Sequence, residues 1–158
     1  MQKDTIAIHA GYDKKNGNGE MAIPISQTTA YAFRDAEHAA NLFALKELGP
    51  IYTRLNNPTN DILEQRYAQL ENGAAALVTA SGASAIFYSI ANIAEAGDNI
   101  LISDKLYGGS VTLFHFTLKR FGISVKTFKS DDASDLESLV DDKTKGIFFE
   151  SLSNPQIA

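Results

Sequence analysis

Four short apolar runs constrain the fold of this chain more than any other feature: AAALVTA (74–80), NILISD (99–104), ISVKTF (123–128) and GIFFES (146–151). Between them lie segments of helical character, from Gly82 to about Glu95, then GGSVTLFHFTLKRFG (108–122) and ASDLESLVDD (133–142). Short apolar strands alternating with helices belong in a mainly parallel sheet, because joining parallel strands needs a crossover long enough to hold a helix. The expected fold class is therefore α/β, with helices flanking the sheet. A further helix is expected at TNDILEQRYAQLEN, with Ile62, Leu63, Tyr67 and Leu70 on one face. Thr59 to Asp61 offer its N-cap oxygens, Glu64 suits a capping box, and Gly73 suits the position after its end.

Residues 1–58 read differently. They lack alternation and carry loop signals, NGNG at 16–19, then PISQTT and NNP. One helical patch runs from Asp35 to Leu48 and is stopped by Gly49-Pro50. The expected organisation is an arm with one helix over 1–58, laid over something else, followed by the first part of an α/β domain over 59–158.

Composition narrows the function classes. The chain has 158 residues, 44% of them hydrophobic, and a net charge of -5. No Lys/Arg cluster or stripe points to nucleic acid. No apolar run approaches the roughly 20 residues of a membrane span. The first 20 residues contain no apolar core of a secretory signal, so a soluble cytoplasmic protein is expected. There is no cysteine, which removes disulfides and thiolate metal sites. His9, His38 and His115 share no ligand spacing, and no metal is expected.

Ligands in open α/β sheets bind beyond the carboxyl ends of the strands. Three such ends present groups suited to one polar ligand. At Ser81-Gly82-Ala83 a strand turns into a helix, so amide N–H groups and the positive end of the helix dipole face outward, as an anion site or simply as a tight turn of small residues. The stretch is neither a dinucleotide glycine fingerprint nor a Walker loop. Tyr107, before Gly108-Gly109, offers a stacking face, an acid/base phenol, or a cover for the sheet edge. Glu150 and Asn154 can orient a ligand or serve as cap and turn residues. Upstream, Tyr52 and Arg54 stand in a loop that the following Asn-Asn-Pro keeps from being helical.

Taken in order, YTRLNNPT (52–59), SGASA (81–85), DKLYGG (104–109) and ESLSNP (150–155) resemble the Cys/Met-metabolism class of pyridoxal-phosphate enzymes. The resemblance runs from about His9 to the end of the chain. NLFALKELGPIYTRLNNPTND is most similar to the O-acetylhomoserine sulfhydrylase branch. It implies the start of a fold-type-I large domain and pyridoxal 5'-phosphate as cofactor. Gly82 and Ala83, beside Ser81, would bind the phosphate through backbone N–H groups, although the family usually has a longer side chain than Ala83. Tyr107 would stack on the pyridine ring and exchange protons with the substrate amine. Asn154 would touch the 3-hydroxyl side of the ring or the substrate carboxylate, with Glu150 supporting that corner. Tyr52 and Arg54 would bind the phosphate of a neighbouring subunit in a homodimer or homotetramer.

The implied reaction is γ-replacement on O-acetyl-L-homoserine, with sulfide or a small thiol displacing acetate to give homocysteine or methionine. The resemblance places the cofactor-tethering lysine and the acidic partner of the pyridinium nitrogen after ESLSNP. The chain is therefore expected to be the N-terminal part of a longer enzyme and inactive by itself. Cystathionine γ-synthase and the cystathionine or methionine γ-lyases are the rival activities within the family. A nucleotide-binding α/β module, or a non-catalytic oligomerisation fragment, are the rivals outside it.

Overall fold

The computed structural model describes residues 2–16 and 19–157. The chain divides into two units, Met1–Val78 and Thr79–Ala158.

The first unit holds helices α1 (Lys3–His9), α2 (Ala36–Phe43) and α3 (Pro58–Leu70). The expected arm carried no helix before residue 35, yet α1 forms there and packs on α3. Seven residues are too few to be helical unaided, so tertiary contact decides the matter. Arg66 Nε donates to Ala10 O at 3.0 Å. Gly11 adopts φ +80°, and a β-carbon there would collide with the Ile62 carbonyl. Because α3 packs on α1, the unit extends to Val78, whereas the change of composition lies at 58/59.

Helix α2 is capped by Asp35, whose side chain accepts from His38 N at 2.7 Å. It stops at Phe43, short of the expected Leu48. Leu45 turns into the left-handed region (φ 54°), and the amides of Lys46 and Glu47 fold back onto Asn41 O at 2.9 and 3.3 Å.

The cap of α3 is Asn57 and not Thr59–Asp61: its Oδ1 accepts from Thr59 N at 2.9 Å, with Pro58 at the first helical position. The Thr59 hydroxyl instead receives Ser26 N at 2.9 Å. Glu64 makes no capping box, since its carboxylate accepts from Val78 N at 2.8 Å. At the other end Asn72 (φ 54°), and not Gly73, takes the left-handed turn.

The second unit is built on a parallel three-stranded sheet in the order β2-β1-β3, comprising β1 (Asn99–Ser103), β2 (Ser124–Phe128) and β3 (Thr144–Phe148). All five residues of β1 are buried, as its central place demands. The run 74–80, expected as the first strand, has no ladder partner among the described residues, and Leu77 is 75% exposed. Apolar character cannot make a strand without a neighbouring backbone to bond to. Ile90, Ile100, Ile102, Leu106, Phe114, Leu118 and Ile123 form the core, with the Phe114 and Phe148 rings 4.8 Å apart.

Helix α4 (Gly82–Ile93) follows the expected pattern. The segment 108–122 is not one regular helix: α5 (Gly108–Thr112) passes through a wide π-type turn (Leu113–Thr117) into a tight one (Leu118–Phe121). Gly122, at φ +78° with Ala96 against it, ends the segment. The acidic stretch 133–142 contributes only α6 (Leu136–Leu139) and a short turn before it. Asp141 is drawn away to the sheet, where it accepts from Lys126 Nζ at 2.7 Å, Asn99 Nδ2 at 2.8 Å and Lys143 N at 2.9 Å. The Lys126 ammonium first, then the Asn99 amide, hold its carboxyl well below the usual carboxylate range.

Candidate functional site

Because the strands are parallel, the loops leaving β1 and β3 emerge on the same edge of the sheet, and a cavity of about 420 Å³ opens there. Gly82 and Ala83 from α4, Tyr107 just before α5, Gly109 and Ser110 within it, and Glu150 after β3 line it, with Ile86 and Leu113 as apolar wall.

The start of α4 is shaped by Ser81. Its Oγ accepts from Ser84 N at 3.1 Å and is hydrogen-bonded to Ser84 Oγ at 2.9 Å, while Thr79 Oγ1 donates to Ser81 O at 3.0 Å. The Ser81 side chain thus serves the helix. The amides of Gly82 and Ala83 in the first turn have no acceptor within the helix. A β-carbon on Gly82 would meet nothing within 4 Å, so no protein atom crowds that approach. The arrangement is one that can accept an anion by backbone donors and helix dipole together.

Tyr107 precedes α5, 55% exposed, with its ring folded over Gly109. Its backbone N–H donates to both carboxylate oxygens of Glu150, each at 3.1 Å, and Ser110 Oγ donates to Glu150 Oε1 at 3.2 Å. Ser110 is the residue that sequence reasoning missed: a serine after two glycines carries no signal until Glu150 is seen to bond to it. The loop after β1 is pinned separately. Ser130 N donates to Asp104 Oδ1 at 2.9 Å and holds that carboxyl below its ordinary range, and Lys105 is paired with Asp131. No lysine lines the cavity among the described residues.

Asn154 is exposed, joined to Pro155 by a cis peptide bond, and does not line the cavity. Tyr52 and Arg54 belong to the first unit. There Ala30 and Tyr52 form an isolated antiparallel bridge, flanked by Tyr31 N to Ile51 O at 3.2 Å and Thr53 N to Thr29 O at 2.8 Å. Two asparagines tie the loop down. Asn56 accepts from Ile51 N at 3.1 Å and donates to Gly49 O at 2.8 Å, and Asn57 donates to Ser26 O at 2.9 Å. The Arg54 guanidinium lies 5.3 Å from the centre of the Tyr52 ring and pairs with no carboxylate among the described residues. Sequence-predicted Gly82, Ala83, Tyr107 and Glu150 are therefore brought to one cavity, with Ser81 framing it; Asn154, Tyr52 and Arg54 are not among its lining residues.

Among the described residues no group of His, Cys, Asp or Glu is placed to hold a metal ion, and no helix is long and apolar enough to cross a membrane.

Residues 4–158 match the model of the Cys/Met metabolism PLP-dependent enzyme family. An O-acetyl-L-homoserine sulfhydrylase of Leptospira meyeri is 46% identical over 157 residues, covering 99% of this chain and 36% of that protein. A homocysteine synthase of Schizosaccharomyces pombe is 46% identical over 152 residues, covering 96% and 35% respectively. The crystal structure of an O-acetylhomoserine (thiol)-lyase from Campylobacter jejuni, which holds a pyridoxyl-lysine phosphate adduct, superposes on the whole chain with a TM-score of 0.94 at 49% identity and is covered to 39%. A cystathionine γ-lyase from Lactobacillus plantarum superposes at 0.87 but is only 28% identical, again with 39% covered. The chain thus spans little more than a third of the length of these relatives. Their agreement over nearly all of its residues decides for the fold-type-I architecture and against a nucleotide-binding module. The chain belongs to the Cys/Met metabolism family of pyridoxal-phosphate-dependent enzymes.

Proposed function

We propose that the protein containing this chain carries out a γ-replacement in which sulfide or methanethiol displaces acetate from O-acetyl-L-homoserine, giving homocysteine or methionine. One observation carries the reading: an open helix N-terminus and an exposed tyrosine ring line a single cavity, as a phosphorylated aromatic cofactor requires. The sulfhydrylase branch is favoured because identity is 46% to the O-acetyl-L-homoserine sulfhydrylase of Leptospira meyeri and 28% to the cystathionine γ-lyase.

Pyridoxal phosphate, when bound, supplies an electron sink that acidifies the carbons of the amino-acid substrate. The residues of this chain bind and orient. Gly82 and Ala83 donate backbone N–H groups to the phosphate, and Gly82 leaves room for its close approach. Tyr107 presents the face of its ring, and its phenol exchanges a proton with the substrate amine. Asn154, from the loop beyond Glu150, reaches the 3-hydroxyl side or the substrate carboxylate, while Glu150 supports the site from the cavity wall. Tyr52 and Arg54 act on the cofactor phosphate of a neighbouring subunit, the guanidinium as a two-pronged donor. Residues 1–58 accordingly contact that neighbour in a homodimer or homotetramer, and the protein works in the cytoplasm. The tethering lysine is assigned to none of the lysines of this chain.

The test is acceptor competition in the full-length enzyme. Sulfide with O-acetyl-L-homoserine should yield homocysteine and acetate, with cysteine a poor acceptor. Preferential formation of cystathionine would transfer the assignment to the cystathionine γ-synthase branch.

A further inference from the structure

We propose that Ser110 and Glu150 form a clamp that positions Tyr107, and that Glu150 acts on the bound cofactor only through that tyrosine. The proposal rests on the cavity being the pyridoxal-phosphate site.

The local sequence cannot hold Tyr107 by itself. It occupies the N-cap of α5, where its side chain makes no cap bond. Serine, threonine or aspartate would supply an acceptor at that position; a phenol, six bonds from its own backbone, cannot. The helix it opens has five residues and begins with two glycines, which are poor helix formers with maximal backbone freedom. Left to itself, this turn would be loose.

The missing acceptor comes from the loop after β3. Both oxygens of Glu150 receive the Tyr107 amide at 3.1 Å, and Oε1 also receives the hydroxyl of Ser110 at 3.2 Å. Ser110 is 3% exposed, so its hydroxyl has little water to bond with in place of Glu150. A carboxylate at a helix N-terminus, accepting charge-assisted bonds, is favoured on both counts. Each Glu150 oxygen thereby receives a donor from α5 or its cap. Glu150 lines the cavity wall, but its bonds hold the residue whose ring faces the ligand. With the Tyr107 backbone fixed by Glu150 and the ring seated on Gly109, little freedom is left in the height and tilt of the stacking face.

The test compares full-length wild type with Ser110→Ala, Glu150→Gln, Glu150→Ala, Tyr107→Ala and the double variant Glu150→Ala/Tyr107→Ala. Three quantities are read: hydrogen exchange at the Tyr107 amide in cofactor-free protein, affinity for pyridoxal phosphate, and the visible circular dichroism of the bound cofactor. Glu150→Ala should speed exchange and weaken cofactor binding by about tenfold or more each, the size of a lost hydrogen bond to a charged group. It should also diminish the dichroic band. Glu150→Gln keeps one carbonyl acceptor and should fall between, as should Ser110→Ala. In the Tyr107→Ala background Glu150→Ala should add no further loss of affinity. A fully additive double variant overturns the proposal, because Glu150 would then touch the cofactor directly; unchanged amide exchange overturns it by removing the clamp. A wild type that binds no pyridoxal phosphate overturns the proposed function instead, and amide exchange still decides whether the clamp exists.

Discussion

The ring of Tyr107 rests on Gly109 so closely that a β-carbon at 109 would run into its edge. Gly109→Ala should therefore push the ring off its seat, although alanine is the better helix residue by about 0.5–1 kcal/mol. The two effects have opposite signs and are separable. Cofactor affinity should fall by roughly tenfold, the scale of one aromatic stacking contact, while the melting temperature holds or rises. Titration of the cofactor-free enzyme with pyridoxal phosphate, beside a thermal melt, checks both. Wild-type affinity would mean that the ring position set by Gly109 is not the one the cofactor needs.

Arg54 is exposed and leans on Tyr52, with no carboxylate partner among the described residues. Removing such a side chain should change folding stability by no more than about 0.5 kcal/mol. If it reaches the phosphate of a neighbouring subunit, Arg54→Ala should nonetheless speed cofactor loss from the oligomer by tenfold or more, given the strength of charge-assisted contacts. Dialysis against buffer, followed by absorbance, measures it. Cofactor retained as in wild type would remove the role.

Asn57 is buried and both caps α3 and ties Ser26 to the loop, so its truncation should damage the fold and not the chemistry. Loss of the cap and of the bonds to Ser26 O and Thr53 Oγ1, at about 1 kcal/mol each, gives roughly 3 kcal/mol for Asn57→Ala. Denaturant unfolding should show a lower midpoint with an unchanged slope. A midpoint equal to wild type would mean that neighbouring groups replace its bonds.

Asp141 predicts an acid limit. Its carboxyl is held low in the folded protein, by Lys126 first, so it binds its proton less readily than in the unfolded chain. The contribution is thus complete above the unfolded value of about 4 and disappears as pH falls below it. Unfolding midpoints from pH 7 to pH 3 should decline at the acid end, and Asp141→Asn should flatten that decline while lowering the neutral plateau. Parallel curves for the two proteins would show that other carboxylates govern acid stability.

The parallel architecture was legible because NILIS, SVKTF and the GIFF run carry it in their own apolar composition, and α4 because SGAS opens it with a cap. What could not be read depended on partners distant in sequence. AAALVTA has strand composition, but among the described residues nothing offers it a backbone to pair with. Asn57, Glu64 and Asp141 are polar residues whose bonds run to residues 26, 78, 99 and 126. Local pattern reads such residues as caps or solvated faces. Ser110 was invisible for the same reason: its partner, Glu150, lies 40 residues on.

The two asparagines that lace the Tyr52–Arg54 loop have a thermodynamic consequence. Ordering a flexible residue opposes any association by about 1–2 kcal/mol of backbone entropy. Here that cost is incurred when the chain folds, since Asn56 and Asn57 hold the loop by bonds to the chain's own backbone. What remains to be immobilised on contact is a single guanidinium side chain already resting on a ring. The loop is a preformed claw, and the grip on a phosphate proposed for it would not have to repay the ordering of its own backbone.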